Sequence, residues 1–437
     1  MTTFTDLNLC PELITTLKDL GYKQPTPVQA QAIPLVLAGH DLIAEAQTGT
    51  GKTASFALPM IDRLSRTPVE GEYHEIRGLI LTPTRELAAQ VGEHTLEYGR
   101  LLGMRVISIF GGVRFDNQIR KMKRGADILV ATPGRLLDML VQKKLSLAHL
   151  EMLVFDEADR MLDLGFIGEI RQLLAYMPEQ RQTLLFSATL NDSVEVLADK
   201  LLREPKRVAI AARNSASQQV KQSVYAVDNG DKADVLSFLI HGGNWRQTLV
   251  FTRTKKRADQ LTAELLEEGI SAVAIHGDRT QRERTAALAA FTAGEVRVLV
   301  ATDVAARGLD IDALPQVVNY DLPNQPEAYV HRIGRTGRAG QQGRAISLVA
   351  PDERRFLQDI SALIGKPLQL QPVPILENGK LIEGGKLPEK KRNQSGKTRK
   401  GGANTKAASK AAKRAPLQPE EPVAPDTPGK RPSLFGR

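Results

Sequence analysis

The sequence predicts an α/β protein with two tandem domains, each a parallel sheet flanked by helices, followed by a disordered basic C-terminal tail. The first observation is a series of short apolar runs, such as residues 79–81 and 153–155, that lack polar alternation and are separated by helix-like stretches. Such runs are typical of parallel strands that helices bury on both faces. The same pattern resumes at residues 249–251, after a polar stretch.

An internal repeat is the second observation. LILTPTRELAAQV starts at Leu79 and LVFTRTKKRADQL starts at Leu249, and the tetrapeptide LVAT follows at 129–132 and at 299–302. The offset is 170 residues for both pairs (249 minus 79, and 299 minus 129). An equal offset for two separate matches indicates a duplicated domain.

The third observation is the change in composition after Pro374, where Lys, Arg, Gly, Ala, Ser and Pro dominate. Such a segment buries too little apolar surface to offset its chain entropy, so we expect disorder. From Glu377 onwards there are 15 basic and 6 acidic residues; of 59 and 50 in the whole chain, this leaves 44 of each before that point. A basic tail on a neutral body favours a polyanionic partner, with a purely solubilising tail as the alternative.

These observations set the expected boundaries. We predict an N-terminal region at 1–30, a first domain at 31–208, a linker or domain entry at 209–222, a second domain at 223–376 and the tail at 377–437. The single cysteine, Cys10, excludes an intramolecular disulfide. No secretory signal is visible, and no apolar run approaches the roughly 20 residues of a membrane-spanning helix. We therefore expect a cytoplasmic protein without membrane contact.

A phosphate-binding loop follows the apolar run at 42–43. Its glycines allow the tight turn that points backbone N–H groups at phosphate oxygens. Lys52 would reach the β- and γ-phosphates, and the Thr53 hydroxyl would bind Mg²⁺. The alternative is an ordinary Gly-rich turn before a helix. The loop comprises Ala46, Gln47, Thr48, Gly49, Thr50, Gly51, Lys52 and Thr53.

Two carboxylates follow the apolar run at 152–155. We assign Asp156 to the metal, through water, and Glu157 to polarising the attacking water. An acidic helix N-terminus, favoured by the helix dipole, would look the same in isolation. The neighbouring phosphate loop favours the catalytic interpretation.

The second domain has no phosphate loop of its own, but it contains the segment HRIGRTGR at 331–338. Hydrolysis of ATP requires positive charge on the transferred phosphoryl group, and an arginine finger contributes roughly 10³–10⁵ in rate. We therefore predict Arg335, Arg338 and His331 as catalytic residues acting across a cleft. A solvated basic turn is the alternative.

These motifs, in this order, closely resemble those of the DEAD-box RNA helicases of superfamily 2. The resemblance runs from Phe4 to about Pro374. It implies two RecA-like domains, ATP with Mg²⁺, and RNA as the main partner. GGNWRQTLVFTRTK and VNYDLPNQPEAYVHRIGRTGRAG look most like the bacterial RhlE-type group.

The resemblance also implies roles for residues that chemistry alone leaves unassigned. An adenine-binding Q motif would include Phe4, Tyr22 (in place of the commoner Phe) and Gln29. In the second domain, Asp303, Gly308 and Asp310 match a segment that contacts the nucleotide. Residues that couple hydrolysis to strand separation would be Ser187, Thr189 and Asp159, although the first two would also suit an ordinary N-cap.

RNA contacts implied by the resemblance combine threonines, glycines and arginines, which suit phosphate and sugar groups. None of the motifs adds an exposed aromatic side chain, so we expect a grip on the backbone with little base readout and recognition of the 2′-OH. The implied residues are Pro83, Thr84, Arg85, Gly112, Thr132, Arg135, Arg253, Gly277, Gln281, Arg284 and Thr302.

The expected activity is local, non-processive unwinding of RNA duplexes or remodelling of RNA–protein complexes, driven by ATP binding and hydrolysis. An ATP-gated RNA clamp or scaffold uses the same residues and stays open as an alternative. A DNA helicase on the same core is a third interpretation, which the Q motif and the DEAD tetrad disfavour. Ribosome precursors and the RNA-decay machinery are both compatible partners.

Overall fold

The computed structural model describes residues 2–46, 50–67, 73–209, 220–306, 314–337, 343–377 and 380–382. Two α/β domains with parallel sheets lie within this part of the chain, as the sequence predicts. No helix in these ranges combines the length and the apolarity that crossing a membrane requires. The predicted tail at 377–437 lies outside the described residues, apart from its first positions.

The first domain has seven strands and nine α-helices among its described residues. Its strands are Leu42–Glu45 (β1), Gly78–Leu81 (β2), Val106–Ile109 (β3), Ile128–Ala131 (β4), Met152–Phe155 (β5), Gln182–Ser187 (β6) and Lys206–Ala209 (β7). Its helices are Pro11–Asp19 (α1), Pro27–Leu37 (α2), Lys52–Ser65 (α3), Arg85–Tyr98 (α4), Phe115–Lys121 (α5), Pro133–Val141 (α6), Ala158–Asp163 (α7), Ile167–Leu174 (α8) and Asp192–Leu201 (α9). Short 3₁₀ turns lie at Phe4–Leu7, Arg100–Leu102 and Met122–Arg124.

The second domain repeats this plan. Its strands are Val220–Ala226 (β8), Thr248–Thr252 (β9), Ala272–Ile275 (β10), Val298–Thr302 (β11), Gln316–Asn319 (β12), Gly343–Val349 (β13) and Leu370–Gln371 (β14). Its helices are Lys232–Gly242 (α10), Lys255–Glu267 (α11), Gln281–Thr292 (α12), Asp303–Ala306 (α13), Pro326–Ile333 (α14) and Arg354–Ile364 (α15), with a 3₁₀ turn at Pro351–Glu353. An antiparallel pair, Ile375–Glu377 (β15) and Lys380–Ile382 (β16), follows.

Strand order supports the duplication. The first sheet runs β3-β4-β2-β5-β6-β1-β7 and the second runs β10-β11-β9-β12-β13-β8-β14, so each strand has a counterpart at the same position. The repeated segments start at β2 and β9, and each is followed by a helix with a threonine N-cap. Thr84 accepts a hydrogen bond from the Leu87 N–H, and Thr254 accepts one from the Arg257 N–H. These caps satisfy backbone donors that the first helical turn leaves unpaired.

The strands carry apolar residues on both faces, and both faces of each sheet are buried. In β1, Leu42 and Ala44 pack into the core on one face of the sheet, whereas Ile43 packs into the core on the other. Helices cover both faces because successive strand residues point to opposite sides. The functional residues therefore gather beyond the strand ends, where the side chains are not needed for the core.

Two predicted boundaries lie close to strands of the second domain. Val220 begins β8 within the segment predicted as a linker or domain entry at 209–222, and it pairs with Gly343. The second domain is predicted to end at 376, whereas the β15–β16 pair runs to Ile382. Leu381 of this pair packs against the core of the second domain, which accounts for the extension.

Candidate nucleotide and RNA sites

The phosphate loop ends at a left-handed glycine. Gly51 has a φ of 91° and is the N-cap of α3, so Lys52 is the first residue of that helix. A Cβ at position 51 would collide with the amide of Gln29, whose Nε2 donates to the Gly51 carbonyl at 3.1 Å. Only glycine fits both constraints. Gln47, Thr48 and Gly49 lie outside the described residues.

Lys52 and Asp156 each bury a polar atom that has no hydrogen-bond partner among the described residues. These atoms are the Lys52 Nζ and the Asp156 Oδ1. Their residues are 6% and 3% exposed. Burial raises the pKa of Asp156, an effect that Lys52 opposes and Glu157 reinforces. A buried cation and a buried carboxylate oxygen without partners are the groups expected around a charged ligand.

Glu157 is held in an unusual conformation for a residue with a side chain. Its φ and ψ are 56° and 54°, at the N-cap of α7, and its Oε2 accepts from the Arg160 Nη1 at 2.8 Å. Burial alone would raise the pKa of Glu157, but nearby positive side chains outweigh burial and lower it. These side chains are Arg160, Lys52, Arg335 and His331.

Arg335 and His331 belong to the second domain, and both lower the pKa of Glu157. Arg335 is 4% exposed. Arg332, between them, has a structural role, because its guanidinium bonds both oxygens of Asp303 at 2.6 and 2.7 Å and lies over the Phe251 ring. Asp303, expected near the nucleotide, therefore anchors Arg332. The other candidates of this region, Arg338, Gly308 and Asp310, lie outside the described residues.

Asp159 joins the carboxylate loop to the segment after β6. Its Oδ2 accepts hydrogen bonds from the Ala188 N–H, the Thr189 N–H and the Thr189 hydroxyl, each at 3.2 Å. The Ser187 hydroxyl accepts from the Asp159 N–H and donates to the Thr189 carbonyl. The Ser187 carbonyl also accepts from the Ala46 N–H at the start of the phosphate loop. The three predicted coupling residues are thus directly bonded to each other.

The three predicted adenine-binding residues lie on the N-terminal side of the phosphate loop. Phe4 is buried and meets the Tyr22 ring edge-to-face, with centroids 6.3 Å apart. The Tyr22 hydroxyl bonds that of Tyr98 at 2.9 Å. Gln29 closes a capping box with Thr26 as well as bonding Gly51, so its amide already has two partners.

A cleft of about 460 Å³ brings together most of the predicted RNA contacts. It draws on strand ends and helix N-termini of both domains. The predicted residues that line it are Pro83, Thr84, Arg85, Thr132, Arg135, Gly277 and Arg284. Arg135 Nε and Arg284 Nε are buried without hydrogen-bond partners among the described residues.

The remaining four predicted RNA contacts do not line the cleft. Gly112, with a φ of 79°, packs against the Arg85 guanidinium, which a Cβ at this position would displace. Gln281 bonds Glu86, and Thr302 is buried at the end of β11. Arg253 pairs with the buried Glu353 at 2.7 Å and lies over the Phe356 ring, so its guanidinium already supports the second domain.

Three residues of the site make contacts that the sequence did not predict. Glu86 pairs with Arg284 at 2.8 Å across the domains, Arg160 holds Glu157, and Phe166 lines the cleft. Glu86 lies inside the motif PTREL, so its place in the sequence could have indicated a role in this site. Nothing in the local sequence indicated Phe166, because it follows a turn and belongs to no recognised motif.

Together, the duplicated domains and the charged site define a nucleotide hydrolase with tandem RecA-like domains. Residues 26–197 match the family described as DEAD/DEAH box helicase, and residues 231–340 match the helicase conserved C-terminal domain. The chain is 42% identical over 377 residues to the DEAD-box ATP-dependent RNA helicase CshA of Bacillus cereus, covering 86% of this chain and 71% of the relative. The chain belongs to the DEAD-box family of ATP-dependent RNA helicases.

Further comparisons agree. DEAD-box ATP-dependent RNA helicase RhpA of Helicobacter pylori is 40% identical over 379 residues, covering 87% of this chain and 76% of the relative. The solved structure of S. cerevisiae Dbp5 bound to RNA and ADP BeF3 is 33% identical with a TM-score of 0.76, covering 86% of this chain and 96% of that one. The predicted fold class and the predicted RNA helicase activity are therefore confirmed.

Proposed function

We propose that Lys52 and Asp156 are the centre of an ATP site whose occupant completes their hydrogen bonding. An unpaired ammonium or carboxylate is costly to bury, by several kcal/mol for an ion without compensation. Phosphate oxygens around the Lys52 Nζ and a cation beside the Asp156 Oδ1 would remove both costs. These two buried, unpartnered atoms are the observation that carries the proposal.

Mg²⁺ is the cation that this donor set fits. Within the described ranges, no group of three or more His, Cys, Asp or Glu side chains could hold a metal by itself. Mg²⁺ needs only one or two protein carboxylates, because it keeps waters and takes the remaining oxygens from substrate phosphates. Asp156 and the Thr53 hydroxyl would hold it. When bound, it neutralises charge on the phosphates.

Glu157 orients and polarises the attacking water. It suits this role because its lowered pKa keeps the carboxylate ionised, and Arg160 fixes its direction. Arg335, with Arg338 and His331 of the same segment, supplies positive charge to the phosphoryl group from the second domain. The chemistry is therefore completed only when the two domains are together.

The cleft lined by Arg85, Thr132 and Arg135 holds one RNA strand by its sugar–phosphate backbone. The unpartnered Nε atoms of Arg135 and Arg284 are donors available to phosphate oxygens. Backbone contacts position a strand without reading its sequence. The network around Asp159 then couples the two sites, because Ser187 and Thr189 respond to any movement of the carboxylate loop.

In the cycle that we propose, ATP and RNA hold the domains together and the bound strand is bent. An A-form duplex does not tolerate the bend, so the partner strand leaves. Hydrolysis and phosphate release reopen the cleft. The outcome is local, non-processive unwinding.

Strand displacement tests this cycle against the alternative of an ATP-gated clamp. Short RNA duplexes would be incubated with the full chain and ATP, and release of a labelled strand would be followed by fluorescence. Unwinding predicts release that depends on ATP and falls steeply as the duplex is lengthened. Retention of RNA in ATP without strand release would support the clamp.

The finer assignments rest on the sequence. The segments GGNWRQTLVFTRTK and VNYDLPNQPEAYVHRIGRTGRAG favour the RhlE-type group, and with it ribosome precursors or the RNA-decay machinery as partners in the cytoplasm. The basic segment from 383 onwards would raise RNA affinity without choosing sequence. Deletion of that segment is the direct test of its contribution.

A further inference from the structure

The cleft proposed for RNA has an apolar wall beside its charged one. Phe166 and Leu164 of the first domain line it, together with Val304 of the second, which is 52% exposed. The other lining residues are arginines, threonines and glycines, together with Pro83, Glu86 and Asp138. We propose that Phe166 stacks on a nucleobase of the bound strand, an inference that rests on the proposed RNA cleft.

Phe166 is held in place from both sides. Gly165, with a φ of 82°, closes the end of α7, and the Phe166 N–H donates to the Met161 carbonyl at 3.0 Å. The Phe166 carbonyl then accepts from the Ile170 N–H at 2.9 Å as α8 begins. Its ring is half-buried and packs partly on the core of the first domain. A ring that is already ordered loses little entropy when a ligand meets it.

Phe166 differs in its surroundings from Phe115, which packs against the cleft residue Arg135. The Phe115 ring is covered by the Arg135 guanidinium, 5.4 Å from its centroid. Among the described residues, Phe166 has neither a ring–ring contact nor a cation over its face. Phe166 is therefore an aromatic residue lining the cleft that no other ring or cation covers among the described residues.

The ligand that suits this surface is a base. A phosphate or a ribose hydroxyl gains nothing from a phenyl ring, whereas every base has a π-face. Base–aromatic stacking strengthens binding by roughly 5- to 150-fold per base and tolerates any sequence. Stacking on Phe166 would therefore add affinity while leaving the grip unspecific, and it would fix the register of one nucleotide in the cleft.

Single abasic sites provide the test. A fluorescent ten-nucleotide RNA would be titrated with the full chain and a non-hydrolysable ATP analogue, using the intact strand and strands with one abasic position each. For one position, the abasic strand should bind the wild type roughly tenfold more weakly than the intact strand does. This loss lies in the lower part of the range for base–aromatic stacking. Phe166→Leu, which keeps an apolar side chain on the core, should lose about as much on intact RNA and nothing further at that position.

Two controls separate the possible failures. Tyr176→Leu removes an aromatic residue that is 43% exposed in the first domain and does not line the cleft, and it should bind every strand as the wild type does. Arg85→Ala should weaken binding to intact and abasic strands alike. If Arg85→Ala binds normally, the cleft itself is misassigned.

If Arg85→Ala weakens binding as expected, the cleft assignment stands, and two outcomes would then overturn the stacking proposal alone. One is a wild type that is insensitive to abasic sites at every position. The other is a Phe166→Leu variant that loses the same further affinity as the wild type at the sensitive position. Phe166→Trp, which restores a π-face, should recover the affinity that Phe166→Leu loses.

Discussion

Glu86 should control closure of the two domains. It lies in α4 of the first domain, accepts from the Gln281 Nε2 at 2.9 Å and pairs with the Arg284 Nη2 at 2.8 Å, both in α12 of the second. The Glu86 and Arg284 side chains are only 8% and 9% exposed. A buried pair of this kind contributes more than the roughly 0–1 kcal/mol of an exposed one.

Glu86→Ala removes both contacts, and the magnitude follows from their type. A hydrogen bond to a charged group contributes roughly 1.5–3 kcal/mol. Leaving Arg284 buried without a partner would cost about 3–5 kcal/mol. Arg284 regains water when the domains separate, so the range for a charged hydrogen bond, roughly 1.5–3 kcal/mol, applies instead. We expect a loss of about 2 kcal/mol in the closing equilibrium, or roughly 30-fold.

Resonance energy transfer between one dye on each domain measures that equilibrium. RNA would be titrated in the presence of a saturating non-hydrolysable ATP analogue. The RNA concentration at which half of the molecules are closed should be roughly 30-fold higher for Glu86→Ala than for the wild type. Nucleotide affinity without RNA should not change, since Glu86 does not touch the ATP site. Glu93→Ala, an exposed position on the same helix, is the matched control.

An unchanged midpoint in Glu86→Ala would refute this reasoning. So would tighter RNA binding, because it would mean that Glu86 chiefly withholds Arg284 from the phosphates. A shift of equal size in Glu93→Ala would point instead to a general effect of charge on α4.

Three further predictions concern the ATP site and the tail. Glu157→Gln should bind ATP and RNA yet stay closed, so RNA should dissociate slowly in ATP; fast release would count against the scheme. Arg335→Ala should cut kcat by roughly 10³–10⁵ with little change in ATP affinity, and a large rise in the Kd for ATP would contradict it. Deleting residues 383–437, with 14 basic and 5 acidic residues, should flatten the salt dependence of RNA binding, by about 0.7 in log–log slope per lost phosphate contact; an unchanged slope would favour a solubilising role.

The sheets and the phosphate loop were predictable because their signals are local. A run such as residues 153–155 is apolar without alternation only when both sheet faces are covered, and β5 occupies 152–155. The boundaries were harder to predict. Polar residues near 220 looked like a linker, yet Val220 begins a strand whose neighbours lie more than 120 residues away in β13.

The sequence did not show which arginines support the fold and which belong to the functional site. Arg332 and Arg335 are three positions apart in the same basic segment, yet Arg332 bonds Asp303 and lies over the Phe251 ring, which gives it a structural role. The Glu86–Arg284 pair joins residues 198 positions apart (284 minus 86). Phe166 lines the cleft directly after Gly165, whose φ is 82°. Each depends on tertiary packing that a linear pattern does not contain.

The central claim is that RNA binding completes an ATP site shared by two domains. The most direct measurement is steady-state ATP hydrolysis without nucleic acid, with single-stranded RNA and with DNA of matched sequence, using Glu157→Gln as the blank. We expect strong stimulation by RNA and little by DNA. Equal stimulation by DNA, or none by either, would contradict it.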